Sequence, residues 1–104
     1  MSYLKITKNQ YKDALETLAE VALTQNSTAS EAAAEIVLSL NNFGDYKLDL
    51  CKLHSLDDIN YIAAMNCING KMKFQTEPQY ILNNADEILA KMKKRYKHLK
   101  IKKR

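Results

Sequence analysis

The sequence predicts an all-α fold: a compact bundle of four main helices plus a short helical or turn segment, closing in a basic C-terminal end. Three observations carry this. Gly and Pro number only two and one in 104 residues, too few for a turn-rich β fold. Apolar residues recur at three- and four-residue steps through four separate stretches, the period of a helix face. No stretch alternates well enough to offer a strand a partner, and an isolated strand leaves its backbone groups unpaired. The length suits one domain, read as helical over 1–99 with a frayed basic tail over 100–104.

The first helix is expected over about 8–25. Thr7 and Gln10 have capping-box spacing, each side chain able to satisfy an orphan amide of the first turn. Tyr11, Ala14, Leu15, Leu18, Val21 and Ala22 then fall on one face. Gln25, Asn26 and Ser27 end it. Thr28 and Glu31 offer a second capping box before the run 32–40, which is apolar except for Glu35 and Ser39. A helix apolar around most of its circumference is packed on several sides, so this one is expected at the centre. Asn41, Asn42 and Gly44 stop it, with Gly44 suited to a left-handed cap.

Residues 45–54 read either as a short strand or as one or two helical turns entered through Asp49; the missing strand partner favours the turns. Ser55 with Asp58 marks the next start, with Asp57 and Asp58 near the positive end of a helix over about 56–69. Asn69-Gly70 reads as its stop and 71–75 as a connector. Thr76-Glu77-Pro78 starts the last helix, Pro78 being tolerated in a first turn. Ile81, Ala85, Ile88, Met92, Tyr96 and Leu99 continue it to about residue 98. Asn84 with Glu87 is a competing start that would split it in two. The expected core is Leu15, Leu18, Val21, Ala33, Ile36, Val37, Leu40, Ile59, Ile62, Ile88 and Met92.

The order of these features resembles an uncharacterised bacterial family of short all-helical proteins, often carried on plasmid-like or integrative elements. The likeness lies in Ala14, Leu15, Leu18, Val21 and Ala22, a Ser/Thr-rich cap, and an Ala-rich helix closing in Leu40-Asn41-Asn42. It continues through Leu48-Asp49-Leu50, Leu53, Leu56-Asp57-Asp58 and Glu77, and covers 11–96. Two features depart from it. Asn26-Ser27-Thr28-Ala29-Ser30 stands where the family has a Gly-containing turn, and the basic extension after Arg95 is peculiar to this chain. The resemblance implies a fold and a genomic setting, and no chemistry.

Charge is distributed unevenly. Of sixteen Lys plus Arg, nine lie in 91–104: Lys91, Lys93, Lys94, Arg95, Lys97, Lys100, Lys102, Lys103 and Arg104. None of the twelve Asp plus Glu does, so a body of net −5 is joined to an end of +9. A few cations at a helix C-terminus complement its dipole; nine exceed that need. A cationic end can displace counterions from nucleic-acid phosphates, which makes these nine residues the candidate contacts for nucleic acid or a protein. Tyr96 is the one aromatic residue there for base stacking, and the end lacks the broad apolar face of a membrane anchor.

Catalytic constellations are hard to assemble. Cys51 and His54 lie close in sequence beside Lys52, yet no third group or oxyanion site accompanies them. Asp57-Asp58 and Asp86-Glu87 fall in first helical turns, where the dipole accounts for them. Metal-ligand spacings, phosphate loops and nucleophile elbows are missing, so no metal, cofactor or enzymatic activity is expected. The two cysteines are read as reduced thiols. With no apolar N-terminal run and no long apolar segment, a cytoplasmic location without membrane contact is expected.

The leading expectation is a small non-enzymatic accessory protein of a mobile element that binds a protein partner or itself as a homodimer. A nucleic-acid-binding accessory protein using the basic end is the alternative. A phage counter-defence inhibitor is a third.

Overall fold

The computed structural model describes residues 5–41 and 45–101. Four helices dominate: α1 (Lys8–Thr24), α2 (Thr28–Asn41), α3 (Asp58–Phe74) and α4 (Ala85–Arg95). Short 3₁₀ helices occupy Leu50–Ser55, Pro78–Tyr80 and Lys97–Leu99. The all-α bundle is as expected.

α1 starts where its cap dictates. The Gln10 N–H donates to Thr7 Oγ1 at 3.1 Å, and the Thr7 N–H donates to Gln10 Oε1 at 2.9 Å. The second box is shifted from its expected place. Ser27 and Ser30 make the reciprocal pair, at 3.2 and 2.9 Å, so Thr28 and Glu31 are free to be the first residues inside α2. Of the expected stop signals after α2, Asn42 and Gly44 lie outside the described residues. α2 is the most enclosed helix, with Ala33, Ala34, Ile36, Val37 and Leu38 fully buried. α1 makes the widest contacts, against α3 and α2.

The ambiguous 45–54 stretch is mixed: Tyr46 makes a single antiparallel bridge to Lys100, and a 3₁₀ helix over Leu50–Ser55 is entered through Asp49, whose carboxylate accepts the Cys51 N–H at 3.0 Å. α3 is capped two residues on from the expected pair: Asp57, not Ser55, accepts the Asn60 N–H at 2.8 Å. It then runs through Asn69-Gly70 and ends at Phe74, with Gln75 in the left-handed conformation (φ 50°). The expected stop and the 71–75 connector are therefore corrected. Gly70 serves packing. A Cβ placed on it would lie 2.3 Å from Tyr11 Cγ and 2.4 Å from Tyr11 Cδ1, well inside van der Waals contact. Tyr11 is fully buried against this glycine, and its hydroxyl donates to the Thr76 carbonyl at 2.7 Å.

The last helix is split, as the competing start at Asn84 suggested. Pro78–Tyr80 forms one turn, tied to α2 because Asn41 Oδ1 accepts the Gln79 N–H at 3.0 Å. α4 begins at Ala85 after Asn84 at φ 55°. Its buried stripe is Leu82, Ala85, Leu89, Met92 and Tyr96, one residue round from part of the expected one; Ile81, Ile88 and Leu99 pack at its margin.

Two expected core residues are corrected outright. Ile59 is 74% exposed and Ile62 58% exposed. α3 turns Ala63, Ala64, Cys67 and Gly70 inward, because small residues let its backbone approach α1. Ile59, Tyr61, Ile62 and Met72 face out.

Gly70→Ala forces Tyr11 out of its place. We expect it to lower unfolding free energy by about 2–3 kcal/mol, the cost of overpacking a filled core, measured by urea denaturation. The neighbouring change Asn69→Ala, outside that contact, should not lower it.

Candidate interaction surfaces

The basic end is ordered as far as it is described, and part of it is structural. Arg95 reaches back to the C-terminus of α1. Its guanidinium donates to the Leu23 carbonyl at 2.7 Å and to the Gln25 carbonyl. Those carbonyls belong to a helix end whose last acceptors have no partner within the helix, and a cation there complements the dipole. Tyr96 is buried, and its hydroxyl donates to the Ala22 carbonyl at 2.6 Å. It is thus committed to the fold instead of being offered to a base.

Lys91 pairs with Glu87 one turn earlier, at 3.0 Å. Lys93 is half-buried, while Lys94, Lys97 and Lys100 are exposed. Lys102, Lys103 and Arg104 lie outside the described residues. The tail expected to fray from residue 100 is held for two residues more: Lys100 bridges Tyr46 in antiparallel fashion, and the Ile101 N–H donates to the Asp45 carbonyl at 2.8 Å.

A cleft of about 550 Å³ lies beside this end, lined among others by Glu35, Lys47, Asp49, Cys51, Lys52 and His98. Glu35 is only 3% exposed. Its carboxylate accepts the Asp49 N–H at 2.8 Å and a hydrogen bond from the Lys52 ammonium. That hydrogen bond raises Lys52 above the ordinary lysine range. His98 Nε2 lies 3.2 Å from Glu31 Oε1. These contacts staple the 3₁₀ segment and the C-terminal turn onto α2. A buried carboxylate needs such compensation, so a structural role accounts for the cluster.

Cys51 and His54 are both exposed and line different clefts, Cys51 this one and His54 another with Leu53, Leu56 and Tyr61. Cys67 is buried, and burial pushes its thiol well above the usual range. Among the described residues no group of three or more His, Cys, Asp or Glu is arranged to hold a metal ion. Another ion pair joins buried Lys71 to Glu77 at 3.2 Å, and the ammonium holds the Glu77 carboxyl below the usual carboxylate range.

The surface that sequence reading missed is the outer face of α3. Tyr61, Ile62 and Met72 are 46%, 58% and 54% exposed, with Ile59 beside them and half-buried Met65 between. Leu50, 66% exposed, comes from the neighbouring 3₁₀ helix. A shallow groove between α3 and α1 is lined by Ile59, Ile62, Asn66, Gln10, Asp13 and Thr17, among others. The available signal was the spacing Ala63, Cys67, Gly70, a stripe of small residues that marks the inward face and sends the isoleucines outward.

Residues 12–97 match the profile of a family of unknown function, DUF7673. The chain belongs to this family. The DUF7673 match takes in most of α1, all of α2, α3 and α4, and Lys91 to Lys97; Lys100 and the residues after it lie beyond it. No curated protein and no solved structure matches the chain. Among the described residues no helix is long and apolar enough to cross a membrane.

Arg95 and Lys94 should separate structure from surface. Arg95→Gln is expected to cost about 1–2 kcal/mol by removing charge-assisted hydrogen bonds. Lys94→Gln should stay within about 0.5 kcal/mol. Thermal or urea unfolding of the two variants checks this.

Proposed function

We propose that this protein is a small accessory protein of a mobile genetic element, without catalytic activity of its own, that acts by protein–protein contact through the outer face of α3. The observation that carries the reading is the solvent-facing apolar stripe of Ile59, Tyr61, Ile62 and Met72 on a helix already buried along its other side. Large apolar side chains gathered on one face mark an interaction site. The mobile-element setting rests on the sequence resemblance alone.

Nucleic-acid binding by the basic end is the second reading, supported by the exposed Lys94, Lys97 and Lys100. It is the weaker one because Arg95, Tyr96 and Lys91 are engaged within the fold. A fair probe of it is Lys94→Gln with Lys97→Gln and Lys100→Gln, leaving Arg95 in place so that folding is not the variable. Contacts to phosphate would make binding fall steeply with salt.

A photoreactive benzoylphenylalanine placed at position 62, and separately at 94, tests the two readings in the cell that makes the protein. Covalent adducts with protein at 62, and none at 94, are expected. Adducts with nucleic acid at 94, with none at 62, would overturn the reading in favour of the alternative.

A further inference from the structure

We infer that the outer face of α3 receives a second copy of this chain, α3 packing antiparallel on α3 about a two-fold axis beside Met65. The inference rests on the contact role proposed above and names its occupant.

The register comes from α3 itself. Its inward residues are Ala63, Ala64, Cys67, Gly70 and Lys71. At 100° per residue, the opposite side is centred on Asp58, Ile62, Met65, Asn69 and Met72, which step by four, three, four and three. That is the seam spacing of paired helices. Met65 sits at its middle, seven residues from Asp58 and seven from Met72.

Charge lies at the two ends with opposite signs. Asp58, with the cap Asp57, stands at the N-terminus, and exposed Lys73 at the C-terminus. Parallel pairing would set like charge against like. Antiparallel pairing about Met65 lays Asp58 of each copy beside Met72 and Lys73 of the other, and Ile62 beside Asn69. It also opposes the two helix dipoles. A two-fold contact uses the same patch twice, so this complementarity within one helix is what self-association requires. α4 also carries opposite charge at its two ends, Asp86 and Glu87 against Lys93 and Lys94, but its apolar side chains Ala85, Leu89 and Met92 are already buried in the core.

Ile59 and Tyr61 flank the seam on its two sides, and Leu50 extends the apolar area beyond Tyr61. This widens the contact past one helix ridge, toward the area that a stable interface needs.

Sedimentation equilibrium of the intact chain should show a monomer–dimer equilibrium. Ile62→Lys weakens it at least about tenfold, since it buries a charge at the seam. Asp58→Lys and Lys73→Asp each weaken it about tenfold, because each places two like-charge pairs in the interface. Combining the two reverses both partners and restores the dissociation constant to within about threefold of wild type.

Lys73 also donates to the Ile6 carbonyl, so a second readout is independent of it. In a Cys51→Ser background, Met65→Cys oxidised with diamide yields a covalent dimer, and Lys94→Cys does not. A wild-type chain that is monomeric at every concentration overturns the inference; adducts from position 62 to a different protein would then leave the contact role standing. A double charge variant no better than the single ones, or a Met65→Cys product that stays monomeric, also overturns it.

Discussion

The rotation of α3 about its axis depends on one contact, the ring of Tyr11 against the backbone of Gly70. Any Cβ at residue 70 would collide with that ring. The ring cannot retreat, because it is fully buried and its hydroxyl is bound to the Thr76 carbonyl. Glycine inside a helix ordinarily costs about 1 kcal/mol relative to alanine. Here that cost is offset by the packing of the Tyr11 ring directly on the Gly70 backbone. With Gly70 held against α1, Ala63, Ala64 and Cys67 also face inward. Ile59, Ile62, Met65 and Met72 are left on the outside. The apolar outer face is thus a consequence of how the core closes.

The charge asymmetry resolves differently from its appearance in the sequence. Lys91 pairs along its own helix, Arg95 binds the end of α1, and His98 lies beside Glu31. The cations that finish α4 in this way stabilise the bundle locally. Acidic residues are used in the same manner: Glu35 anchors the 3₁₀ segment, and Glu77 answers buried Lys71. Among the described residues no buried side-chain nitrogen or oxygen lacks a hydrogen bond, as expected where polar burial is compensated pair by pair.

Much of the fold was legible because local signals and tertiary packing agree. The Thr7–Gln10 box, the apolar 32–40 run and the Asp49 entry each specify a structure that packing then keeps. The misreadings are of two kinds. Ser27 displaced Thr28 as cap and Asp57 displaced Ser55, each a choice between neighbouring residues able to make the same local hydrogen bond. Gly70 sat inside a helix where it looked like an end, and here a distant contact is involved: Tyr11, fifty-nine positions earlier, fills the space beside it. The same contact hid the candidate surface. Size and hydrophobicity argued for Ile59 and Ile62 as core, whereas closeness of approach selected the small residues. Of the nine cations singled out, the sequence could not separate Arg95, which binds two carbonyls, from Lys94, which binds none of them, since that distinction lies in the end of α1.

That the outward side of α3 receives a second copy of the chain is tested most directly by methyl NMR on dilution. With the Ile δ1 and Met ε methyls labelled, the resonances of Ile59, Ile62, Met65 and Met72 should shift together as concentration falls, while buried Ile36 and Met92 stay in place. Shifts absent from these four methyls, or confined to the backbone amides of Lys94 and Lys97 on addition of nucleic acid, would contradict the account.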